Sequence, residues 1–89
     1  MSNRIKVLIV EDHEIIRLGL KIALSQEPRL QVVGVAGDGF TGVSAAIDLR
    51  PDVVLMDIGL PGIDGIEASR RIKLAAPSMH LIMFTSHLD

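Results

Sequence analysis

Apolar runs and amphipathic stretches alternate along this chain. Val7–Val10 is an unbroken aliphatic run, preceded by Lys6 and followed by Glu11 and Asp12. A continuous run of this kind predicts a strand buried on both faces. Glu14 to about Glu27 has helical periodicity and is stopped by Pro28. Leu30–Ala36 (LQVVGVA) predicts a second strand, bounded by Gly37. Asp38 then offers an N-cap to a helix in which Phe40, Val43 and Ile47 fall at i, i+3 and i+7, ending before Pro51. Val53–Met56 predicts a third short strand, ending at Asp57, and Gly59, Pro61, Gly62 and Gly65 make the next stretch a loop. Ile66–Ala75 reads as a helix stopped by Pro77, and Leu81–Phe84 as a fourth strand. The order βαβαβαβ with short connections predicts an α/β protein, a parallel sheet with helices on both faces.

The first helix carries more apolar surface than one sheet face can cover. Ile15, Leu18 and Ile22 form one stripe, and Ile16, Leu20, Ala23 and Leu24 form another. At ~100° per residue the two stripes span roughly 240° of its circumference. Part of that arc is expected to face water or a partner.

Composition narrows the function. The chain has 89 residues, 48% of them hydrophobic, enough for one small domain. Charged residues make up 22% and the net charge is −2, which argues against disorder and against a polyanion-binding surface. Without cysteine there is no disulfide framework, zinc-thiolate site or thiol nucleophile. Two Phe with no Trp or Tyr nearly exclude a base-stacking platform. The apolar run near the N-terminus is too short for a secretory signal, and no stretch is long enough to span a bilayer. A cytoplasmic globular domain is the expectation.

In open parallel sheets, function sits beyond the carboxyl ends of the strands, where strand order reverses. The first strand delivers Glu11 and Asp12 there, the third Asp57, and the fourth Thr85 and Ser86. Any one of these acids alone reads as a turn or cap residue; Asp12 in particular could cap the following helix. Asp57 is harder to dismiss, because it directly ends an apolar run. Carboxylates crowded on one rim repel and raise one another's pKa unless a cation sits among them. A hard ion with oxygen ligands, such as Mg²⁺, suits the set. His13, His80 and His87 show no metal-binding spacing, which argues against zinc. A metal-bound aspartate can serve as a ligand or attack phosphorus.

The segments KVLIVEDHEIIRLGL, VVGVAGDG, RPDVVLMDIGLPGIDGIEASRRIK and LIMFTS together resemble the receiver domain of bacterial two-component response regulators. The nearest subgroup carries a LuxR-type helix-turn-helix output domain. The resemblance runs from about Lys6 to Ser86 and includes the acid pair, the D-x-x-x-P-x-x-D-G loop and the terminal hydroxyl in register. It implies a flavodoxin-like three-layer fold of strand order 2-1-3-4-5. It also implies a signalling module rather than an enzyme, with Asp57 accepting a phosphoryl group from a sensor histidine kinase. Glu11, Asp12, Asp57 and the Gly59 backbone carbonyl would hold Mg²⁺. Thr85 would be the switch hydroxyl, with Ser86 the small residue beside it. Pro61, Asp64 and Gly65 would shape the loop, and His13 would be a surface residue in the first turn of a helix. A haloacid dehalogenase-type hydrolase also uses an aspartate after a strand, but wants a second acid two residues on, where Gly59 stands.

Receivers continue past the fourth strand with a helix, a lysine-bearing fifth strand and a last helix. The chain therefore reads as a receiver shortened after its fourth strand, without an output domain. On this reading the fourth strand is an open edge and the first helix is uncovered. A homo-oligomer is expected, as is the absence of direct DNA binding, since the one basic cluster, Arg70-Arg71 with Lys73, reads as a solvated helix face. The alternative is a structural fragment that self-associates and has no working switch.

Overall fold

A computed structural model describes residues 3–86. His87, one of the three histidines weighed as metal ligands, lies outside the described residues. The elements run β1 (Ile5–Val10), α1 (Glu14–Ser25), β2 (Leu30–Ala36), α2 (Gly39–Leu49), β3 (Val53–Asp57), α3 (Gly65–Ala75) and β4 (His80–Phe84). The strands form one sheet in the order β2-β1-β3-β4, and every pairing is parallel. Strand order thus reverses at β1 and β3, and the ends of these two strands form the switch point of the sheet.

The period of two along each strand divides its side chains between two faces. Leu8, Val10, Val54 and Met56 point to one face and pack with Ala46, Ala68 and Ile72 of α2 and α3 in the main core. Val7, Val53, Leu55 and Ile82 line the other face, together with Leu24 of α1. Helix α1 lies against β1 and β2. It buries no residue completely. Its Ile16, Leu20 and Leu24 stripe is half-buried, while Ile15 (83% exposed), Leu18 and Ile22 face outward. The wide apolar arc expected of this helix is real, and half of it is uncovered among the described residues.

Two local expectations need correcting. Of the stripe Phe40–Val43–Ile47, only Val43 packs against the core. Phe40 and Ile47 are exposed, and the buried residues are Gly39, Gly42 and Ala46. Small residues let the helix axis approach the sheet until Gly42 meets Val10, which leaves the larger side chains at the flanks. Asp12 does not cap α1 either. The N-cap is His13, whose side chain makes no capping hydrogen bond, because the chain spends one more residue in extended form after the acid pair. Asp38 caps α2 as expected, accepting from the Thr41 N–H at 2.8 Å.

Candidate functional site

The carboxyl ends of β1, β3 and β4 bring Glu11, Asp12, Asp57 and Ser86 to one rim. Glu11 and Asp57 are both fully buried. Glu11 is fixed through its backbone: its N–H donates to the Ala36 carbonyl at 3.0 Å, and its carbonyl accepts from Arg17 Nη1 at 3.0 Å. Asp57 ends β3 opposite Phe84 of β4. Below it, Gly65 packs so closely on the Asp57 carbonyl that a Cβ would overlap the backbone. The Gly65 N–H donates to the Ile58 carbonyl at 2.9 Å, and Asp64 caps α3 by accepting from the Glu67 N–H at 2.8 Å. The loop residues expected to shape this turn therefore do so by capping and close approach; Pro61 is exposed.

Asp57 Oδ1 accepts from the Gly59 N–H at 3.2 Å, and Oδ2 accepts from the Ser86 hydroxyl at 2.9 Å. Ser86 Oγ also lies 3.3 Å from Glu11 Oε1 and 3.3 Å from His13 Nδ1. A hydroxyl has one proton to give, and the shortest contact assigns it to Asp57. Thr85, one residue earlier, is exposed. The hydroxyl on the Asp57 carboxylate is thus Ser86's. The sequence offered both hydroxyls at this rim, and only the register of β4 shows which of them faces Asp57.

His13 is the larger surprise. Its side chain is 44% exposed, as a surface residue's would be, yet Nδ1 sits 2.6 Å from Glu11 Oε1. Its backbone N–H donates to the same oxygen at 2.9 Å. The hydrogen bond to Glu11 raises the imidazole pKa above its usual value, with the charges of Asp12, Glu11 and Asp57 adding to the effect against partial desolvation. Asp12 Oδ1 lies 3.4 Å from Nδ1 as well. One oxygen, nitrogen or carboxylate atom from each of Glu11, Asp12, His13 and Asp57 falls within 4.8 Å of all the others. The histidines show no metal-binding spacing along the sequence, which argued against zinc; His13 joins the cluster through space, among acids rather than other histidines.

Two oxygens in this cluster, Glu11 Oε2 and Asp12 Oδ1, are buried and accept no hydrogen bond. An unsatisfied buried carboxylate oxygen is costly, and three acids at this separation repel one another. A divalent cation answers both problems at once, so the residues present fit a metal ion.

Residues 7–89 match the response regulator receiver domain family. The chain belongs to that family. It is 44% identical over 85 residues to the transcriptional regulatory protein LiaR of Bacillus subtilis (strain 168), covering 96% of this chain and 40% of that protein. It is 39% identical to the response regulator protein VraR of Staphylococcus aureus (strain Mu3), covering 96% of this chain and 41% of that one. The chain thus spans about 40% of the length of the curated relatives it matches. Among solved structures, it superimposes with a TM-score of 0.89 on the response regulator domain of Thermotoga maritima CheB, at 42% identity over 93% of this chain and 61% of that one. A LuxR-family two-component response regulator from Aurantimonas sp. SI85-9A1 gives a TM-score of 0.89 at 33% identity, over 96% of this chain and 61% of the other. The expected subgroup and the flavodoxin-like receiver topology both hold. Receiver domains are signalling modules. No helix among the described residues is long and apolar enough to cross a membrane.

Proposed function

We propose that this chain is a phosphoacceptor module, taking a phosphoryl group from the phosphohistidine of a sensor histidine kinase onto Asp57. The observation that carries the reading is the setting of Asp57: fully buried at the switch point, held on both oxygens, and next to a buried Glu11 with an unsatisfied oxygen. A carboxylate oxygen of Asp57 attacks phosphorus, the P–N bond breaks, and the imidazole of the donor leaves with the bonding pair. Bound Mg²⁺ would neutralise charge on the phosphoryl oxygens. Glu11, Asp12, Asp57 and the Gly59 carbonyl are the residues that would hold it. The Gly59 N–H and the Ser86 hydroxyl orient the attacking carboxylate. Thr85 is the switch hydroxyl, which would turn from the exposed rim toward the new acyl phosphate. Asp57 is modified stoichiometrically, so the module is a substrate and not an enzyme. In the parent protein the modification regulates transcription through an output domain, and the site of action is the cytoplasm.

The test is intact mass after incubation with acetyl phosphate and Mg²⁺. The reading requires a gain of one phosphoryl group that Asp57→Asn abolishes. No gain in the wild type, or the same gain in the variant, overturns it.

A second reading has its own observation. Leu24, Val53, Leu55 and Ile82 line an apolar groove of about 220 Å³ on the α1 face of the sheet, and Ile82 is 54% exposed. An open groove beside the β4 edge favours self-association, with or without a working switch. Sedimentation equilibrium at micromolar concentration checks it, and a monomer there counts against it.

A further inference from the structure

The metal cluster contains one group that the proposed function leaves unused. We propose that His13 supplies an imidazole nitrogen to the ion held by Glu11, Asp12 and Asp57, so that the site takes a divalent first-row transition ion through mixed oxygen and nitrogen ligation. This rests on the metal-binding part of the proposed function and adds a ligand, and with it a preference, to that site.

The geometry supports ligation over a bystander role. Nδ1 does not hang in solvent; it is turned into the cluster, 2.6 Å from Glu11 Oε1 and 3.4 Å from Asp12 Oδ1. The backbone holds it there, since the His13 N–H is bonded to the same Glu11 oxygen. Independent of the histidine, the buried oxygen Glu11 Oε2 accepts no hydrogen bond, which leaves lone pairs within the cluster for a cation. Two ligands on opposite sides of an ion with bonds of about 2.0–2.2 Å stand about 4.2 Å apart. The four donors lie within 4.8 Å of one another, in the range that ligands of one ion occupy, and on ligation Nδ1 would exchange its hydrogen bond to Glu11 Oε1 for the ion. The half-exposed ring leaves an open side on which water can complete the coordination shell.

Donor chemistry then sets the preference. Carboxylate oxygens and water suit Mg²⁺ and Mn²⁺ alike, whereas imidazole nitrogen adds little for Mg²⁺ and strengthens binding of first-row transition ions. Three acids alone already favour a transition ion to some extent. His13 widens the margin, and removing it narrows the margin without emptying the site.

The experiment uses Mn²⁺ as the probe on the intact 89-residue chain. Electron spin-echo envelope modulation detects nitrogen bonded directly to Mn²⁺. Wild type is expected to show modulation from one directly bound ¹⁴N, and His13→Ala to lose it while still binding Mn²⁺. Competition titrations are expected to show the Mn²⁺ over Mg²⁺ preference falling by about tenfold in His13→Ala, the scale of losing one supporting ligand interaction. His13→Gln, which keeps polarity and bulk without an imidazole, is expected to behave like His13→Ala. Bound Mn²⁺ with no nitrogen coupling in the wild type overturns the inference and leaves the phosphoacceptor reading standing. Coupling that survives in His13→Ala overturns it as well, because another group would then be the ligand. If no Mn²⁺ binds, seen as unchanged water proton relaxation, both this inference and the metal part of the proposed function fall, while the acetyl phosphate result still judges Asp57 separately.

Discussion

At the scale of single residues, the acids of the rim differ more in their surroundings than in their chemistry. Asp57 and Glu11 are sealed, and Asp12 is partly open. That ordering was partly legible. An acid that directly ends an apolar strand, as Asp57 does, is carried into the interior by its neighbours. The roles of Ser86 and His13 were not legible, because each depends on which way one side chain turns at the end of a strand, a matter of register rather than pattern. His13 carries a pH prediction. Its bond to Glu11 raises its pKa, so the contact stabilises the fold below the imidazole's unfolded pKa, and that contribution is lost as pH rises through the folded value. NMR titration without divalent ions should place the His13 midpoint above the reference value of 6.5, and Glu11→Gln should lower it. An unshifted His13 would contradict the contact. Mg²⁺ should raise the melting temperature by mass action, and Asp12→Asn should reduce that increment. A melting temperature indifferent to millimolar Mg²⁺ would count against convergence of the acids on one ion.

At the scale of elements, the seven segments and their order were readable because each is short, strongly apolar or periodic, and bounded by Gly, Pro or Asp. The packing face of α2 was not readable. A pattern of large apolar residues points to Phe40 and Ile47, whereas the face that docks is set by how closely Gly39, Gly42 and Ala46 let the helix approach. In α3 the same logic protects the site, since Gly65 seats the helix start against the Asp57 carbonyl. Gly65→Ala should destabilise the fold by about 1–3 kcal/mol in urea denaturation, the usual cost of overpacking. Asp64→Ala should cost about 1 kcal/mol through loss of the cap. If both are silent, α3 is not what fixes the Asp57 loop. On the solvent side of α3, Arg70 and Arg71 both bond Glu67 and lower its pKa to about 2. The depressed pKa means that these pairs are kept above the usual carboxylate range and lost only as pH falls toward 2, which carboxyl NMR shifts can follow. With their charges shared with Glu67, these arginines make a poor phosphate-binding patch. The chain should not bind duplex DNA at moderate salt, and tight, salt-dependent retention on DNA would refute this.

At the scale of the whole molecule, the two faces of the sheet are unequal. One is packed by α2 and α3, with Leu81 and Met83 of β4 partly buried at its margin, and the other is covered by α1 over β1 and β2 and, among the described residues, open toward β4. The sequence announced this asymmetry through the broad apolar arc of α1. Each large aliphatic side chain left in water forgoes about 1.5–3 kcal/mol of burial, so several together rival the stability of a small domain. Symmetric pairing of two copies through this face would bury these side chains. Ile82→Lys, placed in the open groove at the edge strand, should shift sedimentation equilibrium toward monomer. Unchanged association would move the contact elsewhere on the surface.

The central claim is that Asp57 itself becomes an acyl phosphate. Hydroxylamine converts an acyl phosphate into a hydroxamate, whereas a phosphate ester on a hydroxyl resists it. After incubation with acetyl phosphate and Mg²⁺, then neutral hydroxylamine, peptide mass mapping should find the hydroxamate on Asp57. A hydroxylamine-resistant phosphate on Thr85 or Ser86, or a modification on any other residue, would contradict the account.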